Sequence, residues 1–175
     1  MTVCSPIKDL STINNIKQLF ASKNMTRELL LFELAINTGL NLKDLLALKV
    51  KDVKNKHYIV NDGKTFPIND YFRNAIARFV KKRNPDDFLF QGRIHKPIDR
   101  TAIFHSFRAI CDELALPESI SVASWRKTFA YHHYLKYKDL SYLQWLFNQT
   151  SVILTLKFIG VEENMNLRFR EGVRL

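Results

Sequence analysis

The sequence predicts a mostly helical α+β fold with one small antiparallel sheet, and three observations carry that expectation. Apolar residues recur at helical spacing through most of the chain, as in Phe72, Ile76, Phe79 and Val80 or Leu140, Leu143, Leu146 and Phe147. One stretch alone, residues 50–68, switches to a strand-like period around a tight Asn61-Asp62-Gly63 turn. The 175 residues are 46% apolar and 25% charged, the balance of a globular protein rather than a disordered chain.

Taken in order, residues 1 to 23 hold one weak helical pattern, Ile13, Ile16, Leu19 and Phe20, with a capping Ser or Thr expected ahead of it. Asn24-Met25-Thr26 then opens a helix that is apolar nearly all round (Leu29 to Phe32, Leu34 to Ile36), the mark of a central core helix. Gly39 suits the left-handed position that ends such a helix. Asn41, with Asp44 three residues on, reads as the cap of a short helix to residue 48. Val50 to Val53 reads as a strand, and residues 58–60 and 64–68 as a hairpin. Asn69-Asp70 caps a helix expected to run through Lys82, which Asn84-Pro85 breaks. A short apolar piece, Asp87 to Arg93, leads into a loop with Gly92 and Pro97. Asp99 caps a helix to about Leu114, and a further helix is expected from Val122 to Tyr137. The chain ends in two helices separated by the polar break Asn148-Gln149-Thr150, the second closing at Gly160. No internal repeat, low-complexity tract or Gly/Ser-rich linker interrupts this order.

The net charge of +10, from 27 Lys and Arg against 17 Asp and Glu, favours a polyanionic partner, since cations gain by displacing the counterions of phosphates. A membrane surface and plain solubility are the bland alternatives. Cys4 and Cys111 form no zinc or disulfide pattern. His132 and His133 are adjacent and face different ways on a helix, and His95 and His105 have no partners at ligand spacing, so no metal and no cofactor is expected. The first residues lack the apolar run of a signal peptide and no stretch reaches the length of a membrane span. The expectation is a cytoplasmic protein.

Four segments, in order, resemble the catalytic domain of the phage integrase (tyrosine recombinase) family: LFELAINTGLNLKDLLALKVKDV, PDDFLFQGR, SWRKTFAYHHY and TLKFIGV. The resemblance covers roughly residues 24–161. It sets apart an N-terminal extension, residues 1–23, where such proteins usually carry a helical clamp domain, and a C-terminal tail, residues 162–175. In the family a tyrosine attacks a DNA phosphate and stores the bond energy in a covalent link. Two arginines hold the phosphate oxygens, a hairpin lysine protonates the leaving oxygen, and histidines assist.

Carried over residue by residue, the resemblance implies a depleted site. The first arginine falls on Asn41, the hairpin lysine on Lys64, the first histidine on Ala123 and the second arginine on Arg126. The second histidine, a tryptophan in some members, falls on Gln149, and the tyrosine on Phe158. A phenyl ring has no oxygen to attack with. The implied protein binds double-stranded DNA through Lys43, Lys64, Arg93, Lys96, Arg100, Arg126, Lys127 and Gln149 without cleaving it, as a regulator or accessory factor in recombination of a mobile element. Lys49, Lys51 and Arg108 add to the expected basic groove.

Each of these residues also has a plain structural reading: Asn41 as a helix cap, Gln149 as a turn residue, Phe158 as core, Arg126 paired with a carboxylate. Two other functions stay open at this point. One is an active recombinase with a substitute nucleophile among Tyr131, Tyr134, Tyr137 and Tyr142. The other is a subunit that joins an active recombinase, or another copy of itself, through residues 162–175 with little DNA contact.

Overall fold

The computed structural model describes residues 4–93 and 95–161. In chain order they form α1 (Leu10–Ser22), α2 (Thr26–Thr38), α3 (Leu42–Ala47), α4 (Val50–Val53), the hairpin β1 (Tyr58–Asn61) and β2 (Lys64–Pro67), α5 (Asp70–Phe79), α6 (Arg100–Glu113), α7 (Ser124–Tyr137), α8 (Leu140–Leu146) and α9 (Val152–Ile159).

Helix α2 is the centre. It buries Leu30, Leu31, Phe32, Leu34 and Ala35 and packs against α1, α5 and α7. Phe20 of α1, Phe32 of α2, Phe107 of α6 and Trp125 of α7 meet in one aromatic cluster, the Phe107 and Trp125 rings edge to face at 5.1 Å. Each such fully buried ring contributes about 1.5–3 kcal/mol of transfer free energy, so four helices are fixed at one point. Helix α1, which lies within residues 1–23 expected to form an extension, contributes Ile13, Ile16 and Phe20 to the same core. Two acids on α2 are buried with partners: Glu28 beside Arg27, and Glu33 held by Lys17 at 3.1 Å and by the Tyr71 hydroxyl at 3.1 Å.

Local chemistry explains the boundaries. Asp9, not a Ser or Thr, caps α1 by accepting from the Thr12 amide. Gly39 ends α2 at φ 73°, where a Cβ would approach Phe129 Cδ1 to 2.5 Å. Asn41, Asn69 and Asp99 each accept from a backbone amide of the helix that follows. The hairpin pairs Ile59 with Phe66, both turned inward, and its turn places Asp62 at φ 49° and Gly63 at φ 69°, the left-handed pair of a type I′ turn.

Two sequence expectations are corrected. Val50–Val53 is a helical turn, not a strand: Asp52 accepts from the Lys49 amide, and Val50 and Val53, one turn apart, are both buried. Helix α5 stops at Phe79 rather than Lys82, and residues 80–82 form turns. Ala130, Tyr134, Leu143 and Ile159 form a second, smaller core that fastens α8 and α9 onto α7. No helix among the described residues is long and apolar enough to cross a membrane.

Candidate nucleic-acid interface

Arg126 lies in the first turn of α7, one residue after the Trp125 anchor, so the aromatic core sets its position. Its Nε donates to the carbonyl of Gly39 at 2.8 Å, and its guanidinium carbon sits 4.5 Å from the centre of the Phe147 ring. One nitrogen and one face are therefore fixed. The terminal nitrogens make no hydrogen bond among the described residues, and Arg126 lines two adjoining clefts. Burial pulls its pKa below the ordinary value, and Asp44 opposes that shift; an arginine stays charged regardless.

The first cleft, about 280 Å³, is lined by Asn41, Arg100, Ala123, Arg126, Lys127 and Phe158 among others. Four of the six positions implied by the family resemblance thus face one space, although they come from the α2–α3 junction, the start of α7 and the last turn of α9. The Phe158 ring lies 5.0 Å from that of Phe147 and carries the Lys127 ammonium 5.4 Å above its centre. At Phe158, the position the resemblance implies for the tyrosine, the cleft wall is hydrocarbon.

The second cleft, about 150 Å³, brings Lys64 to Asn41, Asp44, Asn61, Arg126 and Asn148. Asp44 organises it, accepting from the Asn41 and Asn61 amides at 2.7 and 2.8 Å, while the Asn41 oxygen caps the Asp44 amide. Asn41, onto which the family resemblance carries the first arginine, is thus bound to a neighbouring carboxylate. Lys64 does not present its charge to a ligand here. Its three donors are all engaged, on the carbonyls of Trp145 (2.8 Å) and Leu146 (3.0 Å) and on Asn148 Oδ1 (2.6 Å). The first two are backbone carbonyls of the last turn of α8, the end of a helix that attracts a cation.

The remaining candidates are scattered. Lys43, Arg93, Lys96 and Arg100 are exposed without ion pairs among the described residues, and of the four Arg100 lines the first cleft. Gln149 is half-buried in the break after α8, its amide oxygen enclosed without a partner among the described residues. Lys51 pairs with Asp86 at 2.7 Å, Arg108 with Asp112 at 2.8 Å, and Lys49 lies over the Phe88 ring. Lys51 and Arg108 are thus engaged with acids rather than free in a groove. None of the alternative tyrosines lines either cleft: Tyr134 is buried, Tyr131 lies under Lys8, and Tyr142 stacks on His133 at 4.8 Å. Residues 162–175, expected to mediate association, lie outside the described residues. No group of three His, Cys, Asp or Glu side chains among the described residues forms a metal site.

Sequence reasoning missed Phe147, which carries Arg126, and Asp44, which it read only as part of a cap. The i, i+3 spacing of Asn41 and Asp44 was the one available signal.

Comparison with known proteins finds similarity over nearly the whole chain. The phage integrase family model matches residues 8–163. A probable integrase/recombinase of Bacillus subtilis, YoeC, is 34% identical over 171 residues, covering 94% of this chain and 93% of its own length. Among solved structures, the XerA recombinase superposes with a TM-score of 0.78 at 17% identity, over 99% of this chain and 68% of that one. The Tn1549 transposon integrase, solved with circular intermediate DNA, gives 0.75 at 16% identity, over 96% of this chain and 64% of that one. With the family match spanning both clefts and the helices that build them, the chain belongs to the phage integrase family.

Proposed function

We propose that the protein binds double-stranded DNA in the integration or recombination of a mobile element, and that it does so without cutting strands, as a regulator or accessory factor. The observation that carries this reading is the composition of the cleft: Arg126 keeps its fork open, while Phe158, Asn41 and Ala123 stand where nucleophile, first arginine and first histidine are implied. Strand transfer by this route needs a hydroxyl to attack and a donor set to hold the charge that develops. Removing one such donor alone costs about 10²–10³ in rate. Phosphate binding needs only the cations, and the exposed Lys43, Arg93, Lys96 and Arg100 add to the positive charge open to phosphates. The family membership supports a DNA partner, as does the DNA bound in the Tn1549 integrase structure.

The test is selection of bound fragments from a library of the source genome at two salt concentrations, with the complexes run on a denaturing gel. A discrete recovered site with no covalent adduct supports the reading. Recovery of no DNA overturns it in favour of a subunit that acts through protein contacts. An adduct that survives denaturation overturns the inactivity, and mapping it names the nucleophile.

A further inference from the structure

Residues 4–8 form a strap along one face of α7, held there by Cys4, Ile7 and Lys8. Cys4 Sγ lies 3.1 Å from Ser124 Oγ, the Cys4 carbonyl accepts from Lys127 Nζ at 2.7 Å, and the Ile7 amide donates to Thr128 Oγ1 at 2.9 Å. The Ile7 carbonyl faces His132 Nε2 at 3.0 Å, and Lys8 lies over the Tyr131 ring. Ser124, Lys127, Thr128, Tyr131 and His132 form one continuous helical stripe. At its far end the strap reaches α9: Lys8 Nζ donates to the carbonyl of Gly160 at 2.9 Å, and Pro6 packs on that glycine.

Lys127 belongs to two sites at once. Its ammonium ties down the strap, yet the same side chain lines the Arg126 cleft and covers Phe158. We propose that the strap is an autoinhibitory contact: the Cys4 carbonyl and a DNA phosphate in the cleft compete for the Lys127 ammonium, so that binding DNA releases the strap and anchoring the strap weakens DNA binding. This rests on the DNA-binding reading above. The physical ground is acceptor strength. An N–H bond to a charged phosphate oxygen is roughly twice as strong as one to a neutral carbonyl, so an anion seated on the Arg126 fork draws Lys127 forward. Because the coupling is between two equilibria, it is reciprocal.

The chain carries its own reporter. Cys4 is half-buried under the strap contacts, whereas Cys111 is fully buried and serves as the unreactive control. The experiment measures Cys4 labelling by a water-soluble maleimide in the full chain, with and without a mixed-sequence DNA duplex whose binding is followed by anisotropy in the same samples. Saturating duplex is expected to raise the Cys4 rate about tenfold, the weight of one hydrogen bond from a charged donor. Lys127→Met is expected to give the fast rate without DNA, with no further rise when DNA is added. Thr128→Val, which loosens the strap but keeps Lys127, is expected to tighten DNA binding about threefold. A duplex that binds while the Cys4 rate stays flat or falls overturns the coupling and leaves the DNA-binding reading standing. A duplex that does not bind overturns both. An unchanged rate in Lys127→Met overturns the clamp whatever DNA does.

Discussion

Replacing Arg126 with leucine separates its two roles, one in the fold and one toward DNA. In the fold the change removes the Nε bond to Gly39 and the guanidinium face over Phe147. A lost charged hydrogen bond and a partly desolvated cation–π contact together amount to about 2–3 kcal/mol. For a domain of this size that lowers Tm by roughly 5–10 °C, so binding must be measured well below the new midpoint. Toward DNA the change removes one phosphate contact. If Lys43, Arg93, Lys96, Arg100, Arg126 and Lys127 each neutralise a phosphate, log K against log salt has a slope of roughly −5.4, and Arg126→Leu reduces its magnitude by about 0.9. The assay is anisotropy titration of a labelled duplex over a range of salt, with melting of each variant followed separately. Arg108→Leu is the control, because Arg108 is held by Asp112; its slope should stay with the parent. A folded Arg126→Leu protein with the parent slope, or equal losses in both variants, refutes the placement of a phosphate on Arg126.

Phe158→Tyr restores a hydroxyl on the cleft wall but neither the first arginine nor the first histidine, so no covalent DNA adduct is expected on a denaturing gel; an adduct from this single change would show that Asn41 and Ala123 are no barrier. Lys64→Met keeps the aliphatic stem and loses the three bonds to the end of α8. It should destabilise by about 1–2 kcal/mol in urea titration while leaving the salt slope unchanged, and a slope change without destabilisation would make Lys64 a DNA contact instead. Gly39→Ala forces a left-handed alanine into Phe129 and should cost about 2–4 kcal/mol; a near-neutral melting shift would contradict the contact. Burial lowers the His133 pKa below its ordinary 6.5, with Asp139 opposing. The unfolded chain then takes up the proton first, so the contribution is present above pH 6.5 and is lost as pH falls below it. His133→Gln should flatten that acid limb in a series of melts, and an unaltered limb would assign it to other groups.

How much of this was legible in the sequence depended on how local each feature is. Helices α2, α5, α6 and α7, the Asn69 and Asp99 caps of α5 and α6 and the hairpin turn were readable because period and capping act within a few residues. Val50–Val53 misled, since β-branched residues suggest a strand. The amides of Val50 and Lys51 in fact donate to Asp87 and Pro85, far along the chain. The cleft was located through family resemblance, because Asn41, Ala123, Arg126 and Phe158 carry no shared local pattern.

By itself the sequence determined the helical class, the excess of positive charge and the side chains on offer: no fold can give Phe158 a hydroxyl or Asn41 a guanidinium. The tertiary structure alone decided which cations are free. Lys64, Lys127 and Lys51 look alike in sequence, yet the first is closed over the end of α8, the second is divided between strap and cleft, and the third is paired with Asp86. The reason is the short reach of a hydrogen bond. An ammonium is engaged only when an acceptor lies within about 3 Å, and which backbone carbonyl comes that close is set by the packing of distant helices.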